Sequence, residues 1–144
     1  MLELKHQDKY GNIEEIYNML LDGQQLKMDG RIFEFFCADI LLIEGYENIK
    51  ITKATADNGV DIMAEKDGKD YIVQCKCLSH TCSNKAVQEI VSAKTMYHSK
   101  HMIVMCNRTF STSATVLANT NKVDLYNIGR IKHVLDKYFC EFTI

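Results

Sequence analysis

Apolar positions recur along this chain with two different periods, and the switch between them outlines its elements. Over residues 12–21, Ile13, Ile16, Tyr17, Leu20 and Leu21 keep the spacing of an amphipathic helix that Gly23 closes. Asp29 then offers an N-cap to a helix over residues 29–43, with an apolar face through Ile32, Phe33, Phe36, Ile40 and Leu41 and a stop at Gly45. This is the main buried helix, and Glu34 is an acidic residue near its start. From Glu47 the pattern becomes β-branched alternation through Ile49 and Ile51, leading into the polar turn Ala56-Asp57-Asn58-Gly59. Val60, Ile62 and Ala64 then alternate with Asp61 and Met63, so a second strand carries Asp61. Asp67-Gly68 is a hairpin turn, and residues 71–77 form the returning strand.

Residues 84–98 revert to helical spacing through Val87, Ile90 and Val91. His101 to Cys106 is short and apolar enough for a strand buried on both faces. Ser111 or Thr112 caps a helix through Ala114, Leu117 and Ala118, residues 123–126 form a last strand, and residues 128–139 a closing helix. The order predicts an α/β fold with a mixed central sheet of about five strands flanked by helices.

The period of two also orients side chains. It puts Gln74 and Lys76 on one face of their strand and Cys75 and Cys77 on the other. Counting outward from Asp67-Gly68, Asp61 and Gln74 lie about equally far from the turn, so pairing brings Asp61, Gln74 and Lys76 together. A carboxylate and an amide carbonyl are hard oxygen donors for a divalent cation, and an ammonium beside them can meet a phosphate and a water. That is the minimal equipment for metal-assisted cleavage of a phosphodiester.

Composition narrows the setting. With 144 residues, 47% hydrophobic, the chain suffices for one domain and not two. It holds no apolar run of the roughly 18 residues a membrane span requires, and residues 1–8 lack the apolar stretch of a signal peptide, so a cytoplasmic protein without a membrane partner is expected. The six cysteines then read as reduced thiols, with Cys37, Cys106 and Cys140 as small core residues. Cys75, Cys77, His80 and Cys82 are close in sequence, but zinc sites draw cysteine pairs from turns, and Cys75 and Cys77 lie in a strand. A net charge of −2 argues against a protein that coats nucleic acid indiscriminately; it leaves room for a nuclease, whose metal site needs carboxylates.

Phe33-Glu34 in the main helix, Gly45-Tyr46 before the first strand, Asp57 with Gly59-Val60-Asp61, Val73-Gln74-Cys75-Lys76, and Asn107 with Phe110-Ser111 and Ala114 form an ordered set. In it the chain resembles the Mrr-like restriction endonucleases of the PD-(D/E)xK nuclease superfamily, a branch in which the last acidic position is glutamine. The resemblance spans roughly Asp29 to Tyr126, with Val60 where the superfamily has proline. It implies a nuclease domain over residues 29–144 behind an N-terminal extension, residues 1–28, with one helix and too short for a DNA-recognition domain. It further implies that Asp61 and Gln74 bind the metal, that Lys76 is catalytic and that Glu34 adds an accessory carboxylate. In that reading the backbone carbonyl of Cys75 completes the protein ligands of Mg²⁺, with Mn²⁺ as a substitute. Gln74 removes one negative charge, so the Mg²⁺ dependence should be millimolar. Lys53, Ser79, His80, Lys85, Lys94 and Arg108 are candidate phosphate contacts, chosen by nearness to the site in the inferred topology.

The activity implied is Mg²⁺-dependent DNA endonuclease of a restriction or DNA-defence type, acting as a homodimer because one site cuts one strand, with a separate recognition subunit as a further partner. A Holliday-junction resolvase shares the fold and needs no recognition domain. A catalytically silent nuclease-fold domain that binds DNA or protein is the alternative of a different class.

Overall fold

Eleven elements follow one another in the computed structural model, which describes residues 2–53, 59–99 and 101–142. They are α1 (Gln7–Tyr10), α2 (Ile13–Leu21), α3 (Gly30–Ile43), β1 (Glu47–Ile51), β2 (Ile62–Lys66), β3 (Lys69–Lys76), α4 (Asn84–Tyr97), β4 (His101–Cys106), α5 (Thr112–Asn121), β5 (Val123–Tyr126) and α6 (Ile128–Phe142). The five strands form one sheet in sequence order. β1, β2 and β3 are antiparallel neighbours, whereas β3, β4 and β5 are parallel. The mixed character follows from the connections: a tight turn reverses the chain, while a parallel partner needs a helical crossover, here α4 and α5.

The Asp67-Gly68 turn has positive φ at both central residues, 52° and 75°, the mirror-image turn whose twist suits a two-residue hairpin. It sets Lys66 opposite Lys69 and, four pairs out, Ile62 opposite Val73. At the C-terminal end of α3, Tyr46 N donates to Leu41 O and Gly45 N to Leu42 O, with Gly45 at φ 93°. This is the glycine-dependent helix stop that aims the chain into β1.

Alternation along β4 feeds two cores. Ile103 and Met105 join Phe33, Phe36, Ile40, Ile131 and Leu135 under α3 and α6. Met102, Val104 and Cys106 join Val87, Ile90, Ala93, Ala114 and Ala118 under α4 and α5. A strand covered on both faces has no solvent side, hence its unbroken apolar run.

Three expectations change. The N-terminal segment holds a second short helix, α1, with too few residues to show a period. It is tied down by Asp39, a buried carboxylate on the outer face of α3 that accepts hydrogen bonds from Lys5 N, His6 N and Tyr10 Oη and pairs with His6 Nδ1. Ile32 is 36% exposed, because the inward positions of α3 begin at Phe33. Cys140 is also exposed: the buried side of α6 runs through Ile131, Val134, Leu135 and Tyr138, and two residues further along a helix lies the opposite side. The turn at Ala56, Asp57 and Asn58 lies outside the described residues.

Candidate active site

Asp61 stands immediately before β2 and is held from both sides. Its N–H donates to Val73 O at 2.8 Å, and its carbonyl accepts from Thr52 N at 2.9 Å and Thr52 Oγ1 at 3.2 Å. The side chain is 8% exposed, and Oδ2 accepts from Cys75 N at 2.8 Å. Thus the carboxylate occupies the place on β3 that a further residue of β2 would have filled. Within a strand the N–H and C=O of one residue point to the same neighbour, so the Cys75 carbonyl also faces the Asp61 side.

Gln74 is 2% exposed. Its Nε2 donates to Glu89 Oε2 at 2.6 Å, reaching across to α4. An ionised carboxylate can only accept, so the amide must turn its nitrogen to Glu89 and its oxygen away. That oxygen, Oε1, is buried and has no hydrogen-bond partner among the described residues. A buried acceptor without a donor costs about 1–3 kcal/mol, and a bound cation at Oε1 removes that cost. Lys76, the next residue on the same face, places Nζ 3.3 Å from the same Glu89 oxygen. Glu89 therefore binds both the amide and the ammonium.

Glu34 approaches from the other side of the sheet end. Its Oε1 accepts from Arg31 Nη1 at 2.6 Å, and the same guanidinium nitrogen donates to Thr52 O at 2.8 Å. Thr52 in turn holds the Asp61 carbonyl, so Glu34 and Asp61 are linked through two residues. Burial pushes the Cys37 and Cys75 thiols up, with their mutual interaction and the charges of Asp61 and Glu34 bearing on both. Both thiols stay protonated beside the carboxylates.

Gln74 and Lys76 thus meet at Glu89, and the Asp61 carboxylate is bound to the backbone of Cys75 between them, with Glu34 at the margin. The residue that sequence reasoning missed is Glu89. Its signal was present: it lies three residues after Ala86 and four before Ala93, on the side of α4 that faces the sheet, where an acidic residue is out of place. Gly59 admits it. At φ 88°, a Cβ there would lie 3.3 Å from Glu89 O, so only glycine lets the chain entering Asp61 pass so close to α4.

Among the phosphate contacts, His80 and Lys85 line a cleft of about 190 Å³ with Lys76 and Glu89. Lys53 is exposed beside Thr52, Ser79 is exposed in the loop after β3, and Lys94 lies further along α4 and lines neither this cleft nor its neighbour at Gly59. Arg108 lines a separate cleft. The cysteines do not converge: Cys75 and Cys77 pack on the α3 side, while Cys82 lies with Cys106 in the α4 and α5 core. Among the described residues no group of three His, Cys, Asp or Glu is placed to hold a metal ion, and no helix is long and apolar enough to cross a membrane.

A restriction endonuclease family model, the Mrr catalytic domain, matches residues 25–135. No curated protein matches the chain. Among solved structures, the DNA modification-dependent restriction endonuclease AspBHI aligns with a TM-score of 0.63 at 13% identity, over 95% of this chain and 39% of that one. The MspJI restriction endonuclease, solved with a 27-mer oligonucleotide, aligns with a TM-score of 0.56 at 14% identity, over 93% of this chain and 34% of that one. AF1548, a protein of unknown function, aligns with a TM-score of 0.60 at 19% identity, over 69% of this chain and 58% of that one. At such identities the likeness is one of fold, and this chain spans less than two thirds of each of those chains.

Proposed function

From the premise that the chain belongs to the Mrr-type restriction endonuclease family, we propose that it is a Mg²⁺-dependent endodeoxyribonuclease. The observation that carries the reading is the Gln74 oxygen, buried and without a hydrogen-bond partner among the described residues, on a side chain that shares Glu89 with Lys76 Nζ, while the Asp61 carboxylate is held at the adjoining Cys75 N–H. Asp61 Oδ, Gln74 Oε1 and the Cys75 carbonyl would hold the cation, with Glu34 as an accessory carboxylate, and Mn²⁺ would substitute. Bound there, the cation lowers the pKa of a water and offsets negative charge on the phosphate.

The chain's own groups do the rest. Lys76 brings a positive charge to the attacked phosphate and orients the water, whose oxygen forms the new P–O bond as the bond to the leaving oxygen breaks and that oxygen takes up a proton. Glu89 positions Lys76 Nζ and keeps the Gln74 amide turned with its nitrogen to α4. His80 and Lys85 contact phosphates beside the cut. Residues 29–144 form the nuclease domain, onto which residues 1–28 pack through Leu4, Ile13, Leu20 and Leu26. Cutting both strands of a duplex calls for two copies, and base-specific recognition for a partner subunit. The MspJI structure with an oligonucleotide favours DNA as the substrate.

The test is a cleavage assay on linear, methylated and four-way-junction DNA with Mg²⁺ or Mn²⁺, comparing wild type with Asp61→Ala and Lys76→Ala. Wild type should cut and both variants should not. Equal cutting by all three proteins would sink the assignment, binding without cutting would mark a silent nuclease fold, and preference for the junction would mark a resolvase.

A further inference from the structure

The parallel strands β3, β4 and β5 end together, with Lys76 level with Cys106 and Met105 level with Tyr126. Loops at the carboxyl ends of parallel strands are where α/β folds hold ligands. Two clefts open at this edge. One is the Lys76 cleft. The other, of about 360 Å³, lies between the α2–α3 connection, the loop after β4 and the first turns of α6. Among its lining residues are the cations Arg108 and Lys132, with uncharged polar groups including Gln24, Thr81, Asn107 and Thr109 and no carboxylate, in a chain whose net charge is −2.

Arg108 is built for an outside partner. Its main chain is fixed, the N–H donating to Cys106 Sγ at 3.4 Å and the carbonyl accepting from Ile128 N at 3.2 Å. Its guanidinium makes no hydrogen bond or ion pair among the described residues. Lys132 Nζ is 3.9 Å from Asp136, a long and half-exposed pair that leaves the ammonium available.

The two clefts share a wall. Thr81 lines this one, while His80 and Cys82 on either side of it line the Lys76 cleft. That wall is pinned at Cys82, whose N–H donates to Thr109 O at 2.9 Å and whose carbonyl accepts from Ser111 N at 2.9 Å, while the buried Asn107 ties down the strand end before it, accepting from Leu78 N and donating to Leu78 O. An anion in the second cleft is therefore separated from one at Lys76 only by the short wall His80–Cys82.

We propose that this cleft is a second strand subsite, in which Arg108 and Lys132 hold a backbone phosphate flanking the one cut at Lys76. The inference rests on the nuclease reading only for what lies at Lys76. The test is binding of a fluorescent oligonucleotide in EDTA, with no cutting possible, across a range of salt concentrations. For Arg108→Ala with Lys132→Ala, the slope of log K against log salt should fall by about one to two, roughly one per lost phosphate contact. Arg108→Lys with Lys132→Arg should keep the wild-type slope. Thr109→Glu, which places a carboxylate at an exposed lining position, should weaken binding without removing either cation, covering the case in which the alanine pair folds poorly.

An unchanged slope in the alanine pair, or displacement of the oligonucleotide by a mononucleotide as readily as by an unlabelled strand, overturns the subsite. If wild type cuts and the slope is unchanged, the subsite falls and the nuclease reading stands. If wild type never cuts but the slope still falls, the reverse holds, and wild type that binds no oligonucleotide overturns both.

Discussion

Replacing Glu89 separates its two tasks, because its carboxylate both receives the Gln74 amide and faces the Lys76 ammonium. In Glu89→Ala, Gln74 Nε2 becomes a buried donor without an acceptor, at a cost of about 1–3 kcal/mol. The half-exposed pair with Lys76 adds at most about 1 kcal/mol. Glu89→Gln is the sharper change. The new amide can accept from Gln74 Nε2 or donate to Gln74 Oε1, so both orientations of Gln74 become possible and stability stays near wild type. Only one of them offers an oxygen to a cation. Groups that orient a metal ligand are worth about 10–100-fold in affinity, so Glu89→Gln should weaken Mn²⁺ binding by that factor in isothermal titration of DNA-free protein. The nitrogen-15 spectrum supplies a second readout that needs no cation, since the Gln74 side-chain amide should be protected from exchange in wild type and not in Glu89→Ala. The exchanged pair Gln74→Glu with Glu89→Gln restores one carboxylate and one amide in contact and should recover cation affinity. Gln74→Glu alone opposes two carboxylates, which raises a pKa, so its stability should be greatest at low pH and fall as pH rises through that value. Wild-type cation affinity in both Glu89→Gln and Glu89→Ala, with unchanged Gln74 amide signals, would refute the reasoning.

Three further outcomes are expected. Gly59→Ala should lose about 1–2 kcal/mol from its left-handed backbone alone, with further loss from the approach to Glu89 O, read as a lower midpoint in urea together with weaker cation binding. Asp39→Ala should release the N-terminal segment by removing the shared acceptor of Lys5, His6 and Tyr10, so limited proteolysis should cut ahead of Ile13 while cation binding at Asp61 is kept. Burial, with Tyr71 beside it, pushes the Tyr46 hydroxyl up to about 12 from an ordinary value near 10. The neutral phenol is favoured in the fold, so its contribution is fully present below pH 10 and lost between 10 and 12; Tyr46→Phe should reduce that part of the alkaline loss in a circular-dichroism titration.

The meander was legible because its determinants are local. Asp67-Gly68 sets the turn, the turn sets the register, and the register puts Asp61 beside Gln74 without reference to the rest of the molecule. Helix caps at Asp29 and Ser111 were legible for the same reason, each resting on a side chain bonding a backbone N–H two or three residues on. α1 was not, since what holds it is a carboxylate 29 residues or more away on α3. Cys140 and Ile32 were misjudged because an apolar run does not say where a helix turns its face from the sheet.

The sequence by itself determined the α/β order, the pairing of Asp61 with Gln74 and the side of the strand on which Lys76 lies, all consequences of periods and turns read within one stretch of chain. Only the tertiary structure decided that Glu89 takes up both Gln74 and Lys76, that the Gln74 amide turns its nitrogen to Glu89 and leaves its oxygen without a partner among the described residues, and that Arg108 and Lys132 share a cleft. Those arrangements depend on how elements distant in sequence dock. Docking is set by the volumes of two cores and by which buried polar groups find partners, and neither can be counted along the chain.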